Sequence, residues 1–308
     1  MTTIKKKEEF GADMLLLLVT MCWGFSYLAI NMCIPEMGTL GLNAYRFILS
    51  SAVTAFIFRK RLMHIDRTTF KWSLVVGGTL AVTYGLTNMS IRYTSTPNAA
   101  FLCAMGVIFV PVIELLFMHK KQTPVLIIAV ILSAAGIALL TLTGGGALPE
   151  THLFGDICGI LTAIVYAVET IATEIAVKEK KLDAVQIGVL SMIWTGILML
   201  IISAAAGDIG TPKSTGTVIA LLFLTFICTA FSFIAQPVAQ VHTEASHVGI
   251  IFALEPLFAG LVAFFIQGIV PTKMQLIGQI FMFSSFLILE AGEIVMNKKD
   301  TPDDVSEM

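Results

Sequence analysis

A chain of 308 residues with 56% hydrophobic content, 13% charged residues, a mean hydropathy of +0.88 and a net charge of −2 cannot cover a globule with polar surface. Soluble domains carry roughly 25% charged residues. The composition excludes a soluble enzyme, a disordered chain and a collagen-like or disulfide-rich secreted domain, and without a basic excess no nucleic-acid partner is expected.

A helix that crosses the hydrocarbon of a bilayer needs about 20 largely apolar residues, because every backbone polar group must be paired within the helix. Ten such stretches follow one another. A tail over residues 1–12 carries Lys5, Lys6 and Lys7, and the first span runs from Met14 to Pro35. That run exceeds a signal-peptide core of about 7 to 15 residues and lacks a small-x-small cleavage site, so it reads as a retained helix. The next spans are Thr39 to Phe58 around Arg46, Trp72 to Ile91, Tyr93 to Ile113 and Gln122 to Pro149. After a linker at 144–152 come Leu153 to Val177 around Glu169, Ala184 to Gly207, Ser214 to Thr243, Ala245 to Gln267 around Glu255, and Met274 to Met296. A second tail occupies 298–308. The expected fold is therefore an all-α integral membrane protein of ten transmembrane helices, with a lipid bilayer as its solvent.

Lysine and arginine favour cytoplasmic loops. With the N-terminus inside, 15 of the 19 basic residues fall in inside segments, three (Arg92, Lys213, Lys273) fall outside, and Arg46 remains within a span. Both termini are expected in the cytoplasm. The inside turn near His242 and Glu244 is the exception, having no basic residue. Five cysteines, all in or at apolar spans, form no C-x-x-C pair and no disulfide framework. No metal or cofactor is expected.

The chain also divides into two units of five helices, 13–143 and 153–297. Laying the segment from Pro97 over that from Thr243 places Pro111 on Pro256 and Ala100 on Ala245 at an offset of 145, and Thr123 and Thr272 each open a loop into the fifth helix of their half. Five is odd, so the second unit starts on the opposite side of the membrane. The result is an inverted repeat, the architecture of many secondary transporters.

Trp23-Gly24, Tyr45-Arg46-Phe47 with Arg59-Lys60, Tyr93-Thr94-Ser95 before Ala99-Ala100 and Pro111, then Gln236-Pro237-Val238-Ala239-Gln240, Ala245 and Leu254-Glu255-Pro256-Leu257 occur in this order. This ordered set resembles the EamA family of the drug/metabolite transporter superfamily, over about Met14 to Met296. The resemblance implies ten helices in two inverted repeats around a central cavity, with the fifth and tenth helices at the periphery. It also implies export of amino acids, other small metabolites or toxic compounds, or nutrient uptake. One departure is clear: the Gly-Glu pair that usually ends the fourth helix of each half is replaced by Met118-His119-Lys120 and Gln267-Gly268-Ile269.

Charges at depth are costly, about 2.5 to 3.5 kcal/mol on insertion scales, and should face protein or a water-filled cavity. Arg46, Glu169 and Glu255 are the central candidates. Two readings stand side by side: an acidic centre that takes a cation, a substrate amine or a coupling proton, and a fixed Arg46–acid pair that merely locks helices. Glu255 could also be spent on a local hydrogen bond beside Pro256. Glu114 is expected near the interface with His119 or Lys120. Glu290 and Glu293, with Lys298 and Lys299 in reach, form a candidate homodimer contact.

Residues three or four apart share a helix face. The pairs Trp23 and Tyr27, Asn43 and Arg46, Tyr84 and Asn88, Tyr166 and Glu169, and Gln236 and Gln240 lie on helices the resemblance assigns to the cavity; with Glu255 they are the candidate substrate-binding residues. For Trp23 and the tyrosines, packing or interfacial anchoring competes with binding. Pro111 and Pro256 are candidate hinges, and Pro237 is a further kink. No H-E-x-x-H, G-x-S-x-G or P-loop is present, and the loops are too short to hold a separate active site, so no enzyme is expected. The favoured function is a secondary active transporter in the cell (plasma or inner) membrane that moves a small polar or amphipathic, amino acid-like molecule by alternating access, as an exporter. Uptake of an organic cation or quaternary ammonium compound is the alternative, and a channel or non-transporting scaffold the other class.

Overall fold

The structure is a computed structural model that describes residues 3–94, 96–142 and 153–299. Ten helices in it are long and apolar enough to cross a membrane. The first three are unbroken: Thr3–Met37 (α1), Thr39–Ile57 (α2) and Arg67–Tyr93 (α3). The fourth span is split into Thr96–Ala104 (α4) and Gly106–Phe117 (α5), and the fifth is Pro124–Leu142 (α6). In the second half, Leu153–Glu174 (α7) passes into a π-helical turn, Ile175–Glu179, and Ala184–Ala206 (α8) follows. The eighth span runs through Thr215–Thr225 (α9), a π-helical segment Phe226–Phe231 and Ser232–Gln240 (α10). The ninth is split into Ala245–Phe252 (α11) and Glu255–Gln267 (α12), and the last is Lys273–Lys299 (α13). The linker expected at 144–152 and the tail beyond residue 299 lie outside the described residues.

Short loops are punctuated by side chains that accept otherwise orphaned helix N–H groups. Asp66 caps α3 by accepting from Thr69 N at 2.7 Å, Asp183 caps α8 through Val185 N at 2.9 Å, and Ser214 caps α9 through Thr217 N at 3.1 Å. The Thr69 bonds hold the exposed Asp66 carboxyl below the usual carboxylate range. α8 and α12 end on Gly207 and Gly268, whose φ values of 65° and 69° lie in the left-handed region that favours glycine.

The leading helix of each half packs on the other half. α1 lies against α9, α10, α11 and α12, while α7 lies against α3, α4 and α5. α2 and α8 pack on one another between these bundles. α6 and α13 form a peripheral pair. Small residues permit the close approaches: a Cβ on Gly136 would come within 2.7 Å of Gly278 O across the α6–α13 contact, and one on Gly24 within 2.4 Å of Phe258 Cβ on α12. Outward-facing Ile131, Ile219, Phe117 and Phe265 are exposed, as lipid-facing residues should be.

The broken helices correct the register of the repeat. At the ninth-span break, Leu254 N bonds Ile251 O at 3.1 Å, Leu257 N bonds Leu254 O at 3.0 Å and Phe258 N bonds Leu254 O at 3.2 Å. In the fourth span the same three bonds recur as Met105 N to Leu102 O at 3.2 Å, Ile108 N to Met105 O at 2.9 Å and Phe109 N to Met105 O at 3.2 Å, each 149 residues earlier. The offset of 145 that superposes the two prolines is therefore not the structural one here. Pro256 lies just past its break, where its missing N–H cannot serve the preceding turn. Pro111 lies inside α5, six residues beyond the break at Met105, so the two halves build one geometry from different sequences.

The two ends of the molecule differ. At the end bearing Lys120, α10 packs on α7 and α11 packs on α5; at the end where α1 finishes at Met37, no comparable packing joins α4 to α12 or α1 to α3 among the described residues.

Candidate functional site

The centre is organised by the π-helical segment of the eighth span. A π turn adds a residue to the helical register, so carbonyls there lose their usual i→i−4 partners, and such turns recur at functional sites. Thr229 Oγ1 donates to Leu224 O at 2.8 Å and Ser232 Oγ to Ile227 O at 3.1 Å, each spanning five residues. Cys228 O is thereby turned to other helices. It accepts from Trp23 Nε1 at 2.9 Å and from Arg46 Nη2 at 3.5 Å. Arg46 Nε also donates to Thr229 Oγ1 at 2.8 Å.

Around this anchor runs a chain of rings. Tyr84 meets Phe47 at 5.2 Å between centroids, Phe47 meets Phe233 at 5.3 Å, Phe233 meets Trp23 at 5.7 Å, Trp23 meets Phe252 at 4.7 Å, and Phe252 meets Tyr166 at 6.4 Å. The chain passes through both halves. Arg46 sits at one end of it, its guanidinium carbon 5.5 Å from the Phe47 centroid and 5.7 Å from that of Tyr84.

Tyr27 is 47% exposed, yet it is surrounded by Glu255, Cys103 and Tyr84 from three other spans. Tyr84, Tyr166 and Glu255 are half-buried beside it and Asn88 is half-buried, while Trp23, Asn43, Arg46, Glu169, Gln236 and Gln240 are buried. Each helix break is met by a tyrosine from the swapped leading helix of the other half. Tyr27 of α1 interacts with Glu255 at the start of α12, and the Tyr166 ring of α7 lies 3.5 Å from where a Cβ on Gly106 would stand. Glu255 and Gly106 are 149 residues apart and occupy equivalent places.

Glu169 and Glu255 both lie within reach of Tyr84 and Tyr166, each with its own hydrogen-bond partners. Glu169 accepts from Gln236 Nε2 at 3.3 Å, from Thr173 Oγ1 at 3.1 Å and from Thr170 Oγ1 at 3.4 Å, on the side of the Lys120 end. Glu255 faces Tyr27 across the helices, so its interaction is not confined to its own turn. Arg46 pairs with neither acid, and no carboxylate forms an ion pair with it among the described residues. Gln240 Nε2 bonds Thr170 O at 2.9 Å, a second tie between α10 and α7.

The Lys120 end is closed by charges. Glu114 is buried, as is Glu174, and Lys120 Nζ lies 3.0 Å from a carboxylate oxygen of each. Ser246 Oγ donates to Glu114, Ala245 N donates to Glu174 at 3.0 Å, and Lys178 Nζ stands 3.9 Å from Glu174. The N-terminus of α11 is thus held by two acids from α5 and α7, the charge sign its dipole favours. Glu114 pairs with Lys120 as expected from its spacing, though it is buried deeper than an interfacial residue. Glu290 faces Asp13 of α1 rather than a basic partner, and the side chains of Glu293, Lys298 and Lys299 lie outside the described residues.

Sequence reasoning missed Phe47, Phe233, Phe252, Cys228 and Thr229. The available signal was the row Thr225, Thr229 and Ser232 inside an otherwise apolar span, hydroxyls able to take up carbonyls a π turn releases.

The chain is 24% identical to an uncharacterized transporter of Archaeoglobus fulgidus over 287 residues, 91% of this chain and 97% of the other. A second uncharacterized transporter from that organism is 24% identical over 291 residues, 94% and 86% of the two chains. An uncharacterized transporter of Bacillus subtilis, YoaV, is 18% identical over 78% of this chain and 83% of its own. A solved crystal structure superposes with a TM-score of 0.79 at 12% identity, covering 94% of this chain and 99% of that one, and shows the same fold. With the model of the EamA-like transporter family matching residues 10–142 and again 153–290, the protein belongs to that family and is a multi-pass membrane transporter.

Proposed function

We propose that the protein is a secondary active transporter that exports a small polar or amphipathic, amino acid-like molecule across the cell membrane by alternating access. One observation carries the reading: Tyr27, Tyr84, Tyr166 and Glu255 come together from both halves at the helix breaks, while Lys120 bridges Glu114 and Glu174 at one end of the molecule. Lysine placement in the loops makes the Lys120 end cytoplasmic, so the conformation reads as closed on that side. An inverted repeat supplies the return conformation, because either half can take the other's shape.

The aromatic chain and the Tyr27–Glu255 pair also suit a cation, which keeps uptake of an organic cation as the second reading. Counterflow in proteoliposomes tests the carrier: saturable exchange is expected, and conductance without exchange would sink it in favour of a channel. Right-side-out and inverted vesicles separate export from uptake. A coupling proton is assigned to Glu255, the half-buried acid beside Tyr27. Glu255→Gln is expected to abolish accumulation driven by a pH gradient while leaving exchange intact; a variant that still accumulates substrate places the coupling elsewhere.

A further inference from the structure

Arg46 is a buried cation, 3% exposed, within a membrane span. Buried charges are ordinarily paired, because an uncompensated ion at depth costs several kcal/mol. Here its hydrogen-bond and ring partners are all neutral: Thr229 Oγ1, Cys228 O and the faces of Phe47 and Tyr84. Glu169 is held by Gln236, Thr170 and Thr173, and Glu255, bonded to Tyr27, acts on Arg46 only through space and leaves its guanidinium without a bonded carboxylate. Nη1 has no acceptor among the described residues and is not sealed off by protein. The bonds to Nε and Nη2 fix the plane of the guanidinium, leaving a prealigned donor edge beside half-buried Tyr84.

We propose that the transported molecule itself supplies the hydrogen-bonded counter-ion that Arg46 lacks: a carboxylate that docks on the free edge of Arg46, with an apolar or aromatic body beside half-buried Tyr84. Arg46 is then a recognition residue for acid-bearing substrates rather than a helix lock. The inference rests on the transporter reading for its substrate but not for its binding site. A guanidinium presents paired N–H donors that match a carboxylate, whereas an amide of the same shape offers one weaker acceptor.

The test uses the purified full-length chain with phenylpropionate and its neutral isostere phenylpropanamide, followed by thermal shift and by tryptophan fluorescence, Trp23 sharing the Cys228 carbonyl with Arg46. The acid is expected to bind about 10- to 100-fold more tightly than the amide, the range of a hydrogen-bonded charge. Arg46→Gln should erase that preference and Arg46→Lys should keep part of it. Should Arg46→Gln fail to fold, Thr229→Val removes the Nε anchor while keeping the charge, and is expected to weaken the acid several-fold with little change for the amide. Wild-type protein that treats acid and amide alike, or responds to neither at tens of millimolar, overturns the proposal. Binding preference without flux in proteoliposomes would refute the transporter reading and leave this site standing; saturable flux of acid and amide at equal rates would do the reverse.

Discussion

At the Lys120 end, Lys120 bridges Glu114 and Glu174, and Ser246 and Ala245 of α11 bond the same two acids. At the Met37 end the residues 149 positions away in the repeat are Ile269 for Lys120, Ala263 for Glu114 and Pro97 for Ser246. The two ends share a backbone plan, down to matching hydrogen bonds at the helix breaks, but the Lys120 end is held by a buried ion-pair latch, whereas at the Met37 end Glu36 and Asp208 accept backbone N–H groups of facing segments. A pseudo-symmetric fold offers two conformations of similar energy. The side chains that break the symmetry choose between them, and here they favour closure at the Lys120 end.

Removing the latch is the strongest way to break this comparison. Lys120→Met leaves buried Glu114 without its cation and Glu174 with only Lys178 at 3.9 Å, a change worth about 3–5 kcal/mol, or about two to four orders of magnitude in the balance of conformations. The expected readout is faster thiol labelling of a cysteine placed at Ala245, with slower labelling of half-buried Cys103 on α4. Unchanged labelling at both positions would show that apolar packing, not the latch, holds this end shut.

Ser246→Ala tests one strand of the same latch. It withdraws a single hydrogen bond to a carboxylate and should shift the labelling in the same direction by about 1.5–3 kcal/mol. A double-mutant cycle with Lys120→Met should show coupling, since both act through Glu114.

The smallest effect is expected from building an ion pair at the repeat positions that lack one. Ala263→Glu with Ile269→Lys adds an exposed pair worth no more than about 1 kcal/mol, and should slow labelling of Cys103 modestly, more at low salt than at high.

The latch should also persist through alkaline pH. Burial works to lower the pKa of Lys120, but its bonds to Glu114 and Glu174 outweigh that and hold it above the ordinary lysine value. A raised pKa contributes stabilisation that is complete below the unfolded value of about 10.4 and lost only as pH rises through the folded one. Labelling at Ala245→Cys, corrected for the thiolate fraction with the same residue in unfolded protein, should therefore show no alkaline rise below about pH 10.

Much of this was legible in the chain. Ten apolar stretches required ten helices, because a bilayer leaves unpaired backbone groups no alternative. Arg46, Glu169 and Glu255 stood out because charge at depth is costly, and the structure sets Glu169 and Glu255 around the same two tyrosines, Tyr84 and Tyr166. The spacing of Glu169 from Tyr166 told which face it shared, not that Gln236 and two threonines would enclose it. The register of the repeat was off by four residues because matching prolines was the only visible guide, whereas the helix breaks repeat by hydrogen-bond pattern and not by residue type.

What the amino-acid sequence determined alone is the solvent, the number of crossings and the list of polar groups too costly to leave in lipid, all of which follow from local composition and length. Which of those groups meet was decided only by the tertiary structure. The π turn at Phe226–Phe231 frees one carbonyl, Trp23 and Arg46 converge on it from two other spans, and Lys120 finds two acids on helices far apart in sequence. Partners of that kind are set by how helices swap between the halves, and no local pattern encodes the swap.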